Sequence, residues 1–147
     1  MTKVTSFTLA HNFLRELPPC IGQLRLLEFL HLDDNFLTDL PDEMDEMDSL
    51  SFMNLASNQL SVLPESICFM TRLGHLDMSN NILRDLPENI GRMKQLRHFN
   101  VQNNLLWRLR REVGQIHDTI KEILYDGNDL KAPPQEIIVL GPKEMLR

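Results

Sequence analysis

LGHLDMSNNILRDLPENIGRMKQ, residues 73–95, decides the fold, because the same 23-residue pattern recurs before and after it. Leucine, isoleucine or methionine fills fixed offsets within the pattern, and one proline, Pro87, divides it into two halves. An asparagine marks each copy of the pattern: Asn12, Asn35, Asn58, Asn81, Asn104 and Asn128. Apolar residues at fixed positions over a period of this length indicate stacked supersecondary units that share one elongated core.

The two halves of the pattern predict different local structures. Leu76-Asp77-Met78 alternates apolar and polar residues, which favours a short strand with its apolar side chains pointing inward. The half that begins at Pro87 then spaces its apolar residues three apart, which favours a short 3₁₀ or irregular turn. Stacking one strand per unit gives a parallel sheet on one side of the core and the turns on the other.

Written as a consensus, the pattern is LxxLxLxxNxLxxLPxxIxxLxx. The chain thereby resembles the leucine-rich repeat proteins, in particular the 23-residue intracellular class of Ras-suppressor, Scribble and Erbin-like proteins and their plant relatives. The resemblance covers nearly the whole chain. It implies an α/β leucine-rich repeat fold, a right-handed solenoid of about six coils with a concave parallel β-sheet and short 3₁₀ or irregular convex turns. It identifies no particular function, because this scaffold carries many unrelated partners.

We predict a single leucine-rich repeat domain over residues 1–147. Its repeats span about 4–26, 27–49, 50–72, 73–95, 96–119 and 120–140, and the start of a C-terminal helix follows them. The fifth repeat carries Arg110 in the proline position, which puts its convex turn in doubt, and the sixth repeat comes one residue late. No capping helix precedes Val4 and the terminal helix would stop at Arg147, so we expect a fragment of a longer chain.

The composition argues against two kinds of partner. A net charge of −6 and a sequence pI near 5.3 disfavour general nucleic-acid binding, which requires clustered Lys and Arg. No apolar run approaches the roughly 20 residues of a membrane-spanning helix, and the first residues lack a secretory leader pattern. We therefore predict neither nucleic-acid binding nor membrane insertion.

Charge is distributed unevenly along the chain. Eight acidic and no basic side chains lie in residues 33–48, whereas six basic and no acidic ones lie in residues 92–111. The acidic run lacks the spacing of a calcium-binding loop, which leaves a solvated face or a docking surface for a basic partner. The two regions lie about three coils apart, beyond a Debye length of about 8 Å, so they do not simply neutralise each other.

The two cysteines, Cys20 and Cys68, are 48 residues apart, at or near the same turn of repeats one and three. Their coils would lie roughly 10 Å apart, which is too far for a disulfide, so we expect two packing thiols. The cysteine clusters that cap secreted members of the family are missing, and no Asn-x-Ser/Thr acceptor occurs. The expected location is the cytoplasm, with the cytoskeleton or a cilium as narrower alternatives.

The recurring asparagine has a structural explanation. Where the chain leaves each strand, backbone groups lose their sheet partners inside a buried bend, and an amide both donates and accepts hydrogen bonds there. We predict that the asparagines form a ladder through the stack and that removing one amide costs about 1–3 kcal/mol. They are not predicted to bind a partner.

Residues between the strand leucines should point outward and align across successive strands. Two adjacent columns are predicted to form a protein-binding concave surface: Phe29, Phe52, His75 and His98 in one, and His31, Asn54, Asp77 and Asn100 in the other. Exposed phenylalanines on a polar sheet are typical of an interface. The alternative is that the rings lean against the coil edge, half buried. A metal site or acid–base pair at His75 and Asp77 is disfavoured, because no ligand cluster accompanies them.

A second candidate interface lies in the fifth repeat, where Trp107, Arg108, Arg110 and Arg111 combine the two residue types favoured as interface anchors. This basic edge would receive an acidic protein segment. The alternative is a solvated edge.

Together these features predict a non-enzymatic protein–protein interaction module, a scaffold or adaptor that uses its concave sheet. We expect no catalytic residue, cofactor or metal, and the sequence does not identify the partner. The family resemblance implies roles in small-GTPase signalling, cell polarity and cytoskeletal or ciliary assemblies. The alternative function is a structural subunit embedded in a large cytoskeletal or ciliary assembly.

Overall fold

The computed structural model of the protein describes residues 4–116 and 118–131. Each of the first five coils consists of a three-residue strand and the 3₁₀ turn that follows it, and the sixth coil is described from its strand to residue 131. The strands are β1 (Ser6–Thr8), β2 (Phe29–His31), β3 (Phe52–Asn54), β4 (His75–Asp77), β5 (His98–Asn100) and β6 (Glu122–Leu124). The turns are η1 (Pro19–Gln23), η2 (Asp42–Glu46), η3 (Glu65–Phe69), η4 (Glu88–Arg92) and η5 (Arg111–Ile116). The expected C-terminal helix falls outside the described residues.

The six strands form one parallel sheet whose spatial order is the order of the sequence. Each strand pairs with the next in a constant register, so that Phe29 lies opposite Phe52 and Phe52 opposite His75. Parallel neighbours one coil apart are what a 23-residue repeat must produce, because each strand is followed by a turn that returns the chain to the same edge. The sheet and the 3₁₀ turns agree with the predicted solenoid.

The middle residue of each strand points into the core. Leu30, Met53 and Leu76 are completely buried, and Phe99 is the largest of the fully buried side chains. Each turn contributes a buried apolar residue from the opposite side: Ile21, Met44, Ile67, Ile90 and Val113. The core is therefore one continuous apolar column between the sheet and the turns, and it leaves the outward strand residues free for other contacts.

The 3₁₀ turns are entered through an extended residue whose carbonyl accepts the first hydrogen bond of the turn. Pro18 fills this position before η1, and the Ile21 N–H donates to its carbonyl at 3.0 Å. Arg110 fills it before η5, and the Val113 N–H donates to Arg110 at the same distance. The fifth convex turn therefore forms without a proline, because the first hydrogen bond of the turn needs only a backbone carbonyl as acceptor. The late sixth repeat is also explained, since η5 has six residues where the other turns have five.

The predicted asparagine ladder is present. In each interior coil the amide nitrogen donates to carbonyls of its own bend and of the preceding coil, while the amide oxygen accepts a backbone N–H from the preceding coil. For Asn58 the donated bonds include Leu32 O at 3.0 Å, and the accepted bond comes from Leu37 N at 2.9 Å. The Asn12 side chain is exposed and bonds only within its own bend, to the carbonyls of Leu9 and Ala10. The ladder thus joins each coil to the one before it.

A left-handed backbone residue directly precedes each ladder asparagine. Non-glycine residues with φ between 53° and 56° hold this position in the first five coils: His11, Asp34, Ser57, Asn80 and Asn103. Gly127, with φ of 73°, holds it in the sixth. The positive φ turns the chain sharply out of the strand, and it aims the asparagine amide back into the bend.

The two thiols differ in their surroundings. Cys68 is buried on η3, and desolvation by burial raises its pKa to about 12. Cys20 on η1 is exposed, so the expectation that both thiols are packing residues was wrong for Cys20. It follows Pro19 at the start of η1, on the outer side of the turn, whereas the inward position is taken by Ile21.

Candidate functional site

The outward side chains of β2 to β5 form a continuous row of rings, which we call the aromatic strip: Phe29, His31, Phe52, His75 and His98. Phe52 lies at its centre, 6.2 Å from Phe29, 4.9 Å from His31 and 4.4 Å from His75 between ring centroids. His75 continues the row to His98 at 5.6 Å. Phe29 remains 42% exposed. The constant register brings the four residues of one column side by side, and His31 of the neighbouring column contacts Phe52 diagonally.

Electrostatics favour an uncharged imidazole in the middle of the strip. Burial lowers the pKa of His75, and the neighbouring His98 lowers it further. Asp77 and Glu122 act in the opposite direction but do not outweigh burial. Glu122 lies 3.4 Å from Nδ1 of His98. A neutral His75 stacked on Phe52 therefore extends the apolar surface rather than interrupting it.

The second predicted column is largely used within the chain. Asn54 and Asn100 each accept the backbone N–H two residues on, at 3.0 Å. Asp77 accepts bonds from the backbone and hydroxyl of Ser79 and from the amide of Asn100. These bonds close the bends after the strands, so Asp77 is a partner of Ser79 and Asn100 rather than the base of an acid–base pair with His75.

An open depression of about 360 Å³ lies beside the strip at the N-terminal ends of β3 to β5. Its rim carries the exposed guanidinium groups of Arg72 and Arg97, its wall is formed by Phe52 and His75, and Gly74 exposes backbone between them. We call it the Gly74 depression. Sequence reasoning missed it, although the column Thr5, Glu28, Ser51, Gly74, Arg97 and Lys121 was readable from the repeat.

One group of side chains in the described part of the chain has the composition of a metal site. His11, Asp33 and Asp34 bring one ligand atom each within 4.8 Å of the others. His11 Nδ1 lies 2.9 Å from the Asp34 carboxylate, and both side chains are well exposed. The contact between His11 and Asp34 accounts for the closeness of two of these three side chains without a cation.

The second predicted interface is less available than its composition indicates. Arg108 and Arg110 both bind the Asp85 carboxylate, Arg110 through two bonds of 3.1 and 2.8 Å. Arg108 also lies over the Trp107 ring at 4.4 Å, and Arg111 bonds Glu112. Asp85 was missed as their partner because it lies one coil earlier. Whether this edge binds a protein stays a prediction, but all three of its arginines already contact a carboxylate of the chain.

A further apolar surface lies just beyond the ladder asparagines, and we call it the asparagine-edge stripe. Its exposed members are Phe13, Phe36, Ile82, Leu105 and Trp107. Phe13 and Phe36 stack at 6.1 Å. Four of its members directly follow a ladder asparagine, Trp107 lies three residues after Asn104, and Gln59 interrupts the stripe between Phe36 and Ile82. The apolar residue that recurs at this position of the repeat was a usable signal. Only Trp107 among these residues was predicted to lie at an interface.

Comparison with known proteins decides the family. The family model named Leucine Rich Repeat matches residues 49–70 and 72–93. A leucine-rich repeat protein of Leptospira interrogans superposes on 88% of this chain with 35% sequence identity and a TM-score of 0.86. This chain is a leucine-rich repeat protein.

Two further solved structures are similar to this leucine-rich repeat protein. The ectodomain of the Arabidopsis thaliana membrane receptor kinase GASSHO1/SCHENGEN3, in complex with CASPARIAN STRIP INTEGRITY FACTOR 2, matches 78% of the chain with 26% identity and a TM-score of 0.69. The functional domain of InlJ from Listeria monocytogenes matches 87% with 22% identity and a TM-score of 0.73, which shows the fold alone. A search of curated proteins gives no match.

The leucine-rich repeat chain covers only part of each of these proteins: 33% of the Leptospira chain, 14% of the Arabidopsis chain and 26% of the Listeria chain. Leucine-rich repeat domains generally act as non-enzymatic modules that bind other proteins. Among the described residues, no helix has the length and apolarity needed to cross a membrane.

Proposed function

We propose that this leucine-rich repeat protein is a scaffold or adaptor that binds another protein through the aromatic strip. The main support for this proposal is the unbroken row of ring contacts across four strands of one sheet, formed by Phe29, Phe52, His75 and His98. Aromatic residues that are half exposed and adjacent form the centre of many protein interfaces, where their burial by a partner supplies most of the affinity.

The scaffold favours binding in a second way. The strip stands on strands whose registers and ladder bonds are fixed, so its side chains lose little conformational freedom when a partner docks. Its location on a sheet face, away from the core, means that the rings can be changed without emptying the core. The receptor kinase ectodomain, which is similar in fold, was solved with a bound factor, and this is consistent with a binding role here.

Paired substitutions test the proposal. We expect Phe29→Ala with Phe52→Ala to abolish capture of the main protein partner from extracts of the cells that make this chain. We expect the melting temperature to stay nearly unchanged, because single surface substitutions usually alter stability by less than about 0.5 kcal/mol. The measurement is quantitative mass spectrometry of captured proteins, together with a thermal melt of each variant.

The matched control is Phe13→Ala with Phe36→Ala, which removes another stacked pair of exposed rings from the asparagine-edge stripe. The control should retain the partner. If the Phe29/Phe52 variant captures the same proteins as the unchanged chain, the aromatic strip is not the interface. A large fall in melting temperature with binding intact would show instead that the two rings belong to the core.

A second candidate function is a structural subunit held inside a large assembly, including a cytoskeletal or ciliary one. The asparagine-edge stripe favours it, because a second exposed apolar surface allows contacts with two neighbours at once. A soluble monomer in size-exclusion chromatography would favour the adaptor. Aggregation that is relieved only by co-expressed partners would favour the structural subunit.

The cytoplasm remains the proposed location. Two unpaired cysteines, one of them exposed, suit a reducing compartment. Fluorescence microscopy of the tagged chain in its native cell tests this proposal.

A further inference from the structure

We infer that the Gly74 depression receives an acidic side chain from an extended segment of the partner, whose neighbouring apolar side chain lies on the aromatic strip. This inference rests on the proposed function, since it names the chemistry of the segment that the strip binds. Three properties of the depression support this inference: its positive charge is unpaired, its floor is open, and an apolar wall lies beside it.

The positive charge is uncompensated. Arg72 and Arg97 are exposed, and neither has a carboxylate within 4.0 Å in residues 4–116 and 118–131. Other arginines of the chain are used internally: Arg25 contacts Glu46 and Asp48, and Arg110 binds Asp85. A guanidinium with no partner is available for a carboxylate from another molecule, which it binds in a directional and often bidentate manner.

The floor is open because Gly74 has no side chain in a column where its neighbours are Ser51 and Arg97. The backbone there is already satisfied: Gly74 N donates to Ser51 O at 2.9 Å, and Gly74 O accepts from Arg97 N at 2.8 Å. A guest group in the depression therefore meets the two guanidinium groups and the rings, with no need to break the sheet.

The apolar wall sets what lies beside the acid. Phe52 and His75 stack at 4.4 Å and line the same depression, so the residue next to the acidic side chain meets a partly exposed aromatic surface that it can cover. A partner strand running across the sheet places neighbouring side chains a few ångströms apart. One segment can thus fill both positions.

Other charges facing this edge do not cancel the two arginines. Lys121 continues the column beyond Arg97, and Glu122 is in contact with His98. Glu28 stands in the same column on the far side of Ser51. The net charge of −6 repels an acidic partner at long range, so selectivity has to come from this local site. A basic segment would instead meet two unpaired cations.

Selection from a phage-displayed library of random linear peptides tests the inference on the full 147-residue chain. We expect the selected peptides to carry Asp or Glu beside an aromatic or aliphatic residue. Arg72→Gln and Arg97→Gln should each weaken the best peptide about tenfold, the scale of one charge-assisted hydrogen bond. Raising the salt concentration should weaken it as well.

Two further variants sharpen the test. Gly74→Leu should fill the depression and abolish peptide binding without unfolding, because a Cβ at Gly74 comes no closer than 3.4 Å to its nearest neighbour, Gln95 O. Arg15→Gln removes an exposed arginine from the asparagine side of the first coil and should leave binding unchanged. A thermal melt confirms that every variant is folded.

The outcomes separate the inference from the proposed function. Selected peptides that lose binding with Phe29→Ala/Phe52→Ala but not with Arg72→Gln, Arg97→Gln or Gly74→Leu would overturn the inference and leave the aromatic strip as the interface. Peptides rich in Lys and Arg would overturn it too. Failure of the unchanged chain to retain any peptide, or retention unaffected by all of these variants, would count against both proposals.

Discussion

Asn58 shows how a single residue holds neighbouring coils together. Its amide donates to Leu32, Leu55 and Ala56 and accepts from Leu37, all in a buried bend. We predict that Asn58→Ala lowers the free energy of unfolding by about 1–3 kcal/mol, because the partner groups are left buried without water or protein to replace the amide. Urea denaturation followed by circular dichroism measures the loss.

Asn12 provides the control for Asn58. It occupies the same position of the repeat, but its side chain is exposed and bonds only the carbonyls of Leu9 and Ala10 in its own bend. Asn12→Ala should therefore cost clearly less, since water can reach the released carbonyls. Equal losses for the two variants would contradict the view that the ladder stabilises by joining coils.

Side-chain direction was predictable at the residue scale, while side-chain pairing was not. The alternation of Leu76-Asp77-Met78 fixed which residues face outward, and the equal repeat length placed Phe29 beside Phe52. The pairing of Arg110 with Asp85 depends on the path of the chain between two bends, which no spacing rule describes. The exposure of Cys20 was missed for a similar reason, because the rotation of a short 3₁₀ turn decides it.

Asp85 links two structural elements, the bend after β4 and the bend after β5. Partial burial raises the pKa of its carboxyl group, but hydrogen bonds from Arg108, the Leu86 N–H and Arg110 outweigh burial, so the pKa lies below its ordinary value. A carboxyl whose pKa is lower in the folded state stabilises the protein above its unfolded pKa of about 4, and this contribution is lost as the pH falls through the folded pKa.

We therefore predict that Asp85→Asn lowers the free energy of unfolding by about 1–3 kcal/mol at neutral pH. The difference from the unchanged protein should begin to narrow below about pH 4, where the unfolded chain binds the proton before the native carboxylate does, and it should be lost as the pH falls through the lowered native pKa. Urea denaturation across a pH series measures both effects. Asp39→Asn is the matched control, because Asp39 holds the corresponding position of the second coil and bonds only Thr38. If the difference in free energy of unfolding between the two proteins stays constant into strong acid, the charge of the Asp85 carboxylate is not the source of the stabilisation.

The secondary-structure elements followed from the sequence more completely than the site did. Strands and turns repeat because the apolar offsets repeat, and even η5 formed without its proline, since the entry bond uses a carbonyl that every residue has. The Gly74 depression arises from residues that precede the strands and follow no apolar pattern. The residue type at these positions differs from coil to coil. The repeat therefore predicts where these side chains lie but not what they bind.

At the scale of the whole molecule, each coil contacts only its neighbours, and stability should vary along the stack. Such a solenoid behaves approximately as a row of units coupled to their neighbours, so opening can begin where the coupling is weakest. Among the described coils, the first should be the most weakly coupled to its neighbour, because its apolar side chains are the least buried. Val4 is 60% exposed, and Phe7, Leu9 and Leu14 are only partly buried. The central coils are packed on both sides, and Leu76 and Leu60 are completely buried.

Native-state hydrogen exchange measured by NMR spectroscopy should reveal this gradient through one chemically matched set of amides. In each of the first five coils the N–H two residues after the ladder asparagine donates to the asparagine of the next coil, so the bond type is constant while its depth in the stack changes. We predict that the Leu60 amide, which is bonded to Asn81 in the buried centre, exchanges at least about tenfold more slowly than the Leu14 amide, a difference of about 1.4 kcal/mol. Low concentrations of urea should release Leu14 first and Leu60 last. Identical protection at both amides would mean that the coils open only together, because a stack with local coupling cannot protect its partly buried first coil as strongly as its centre.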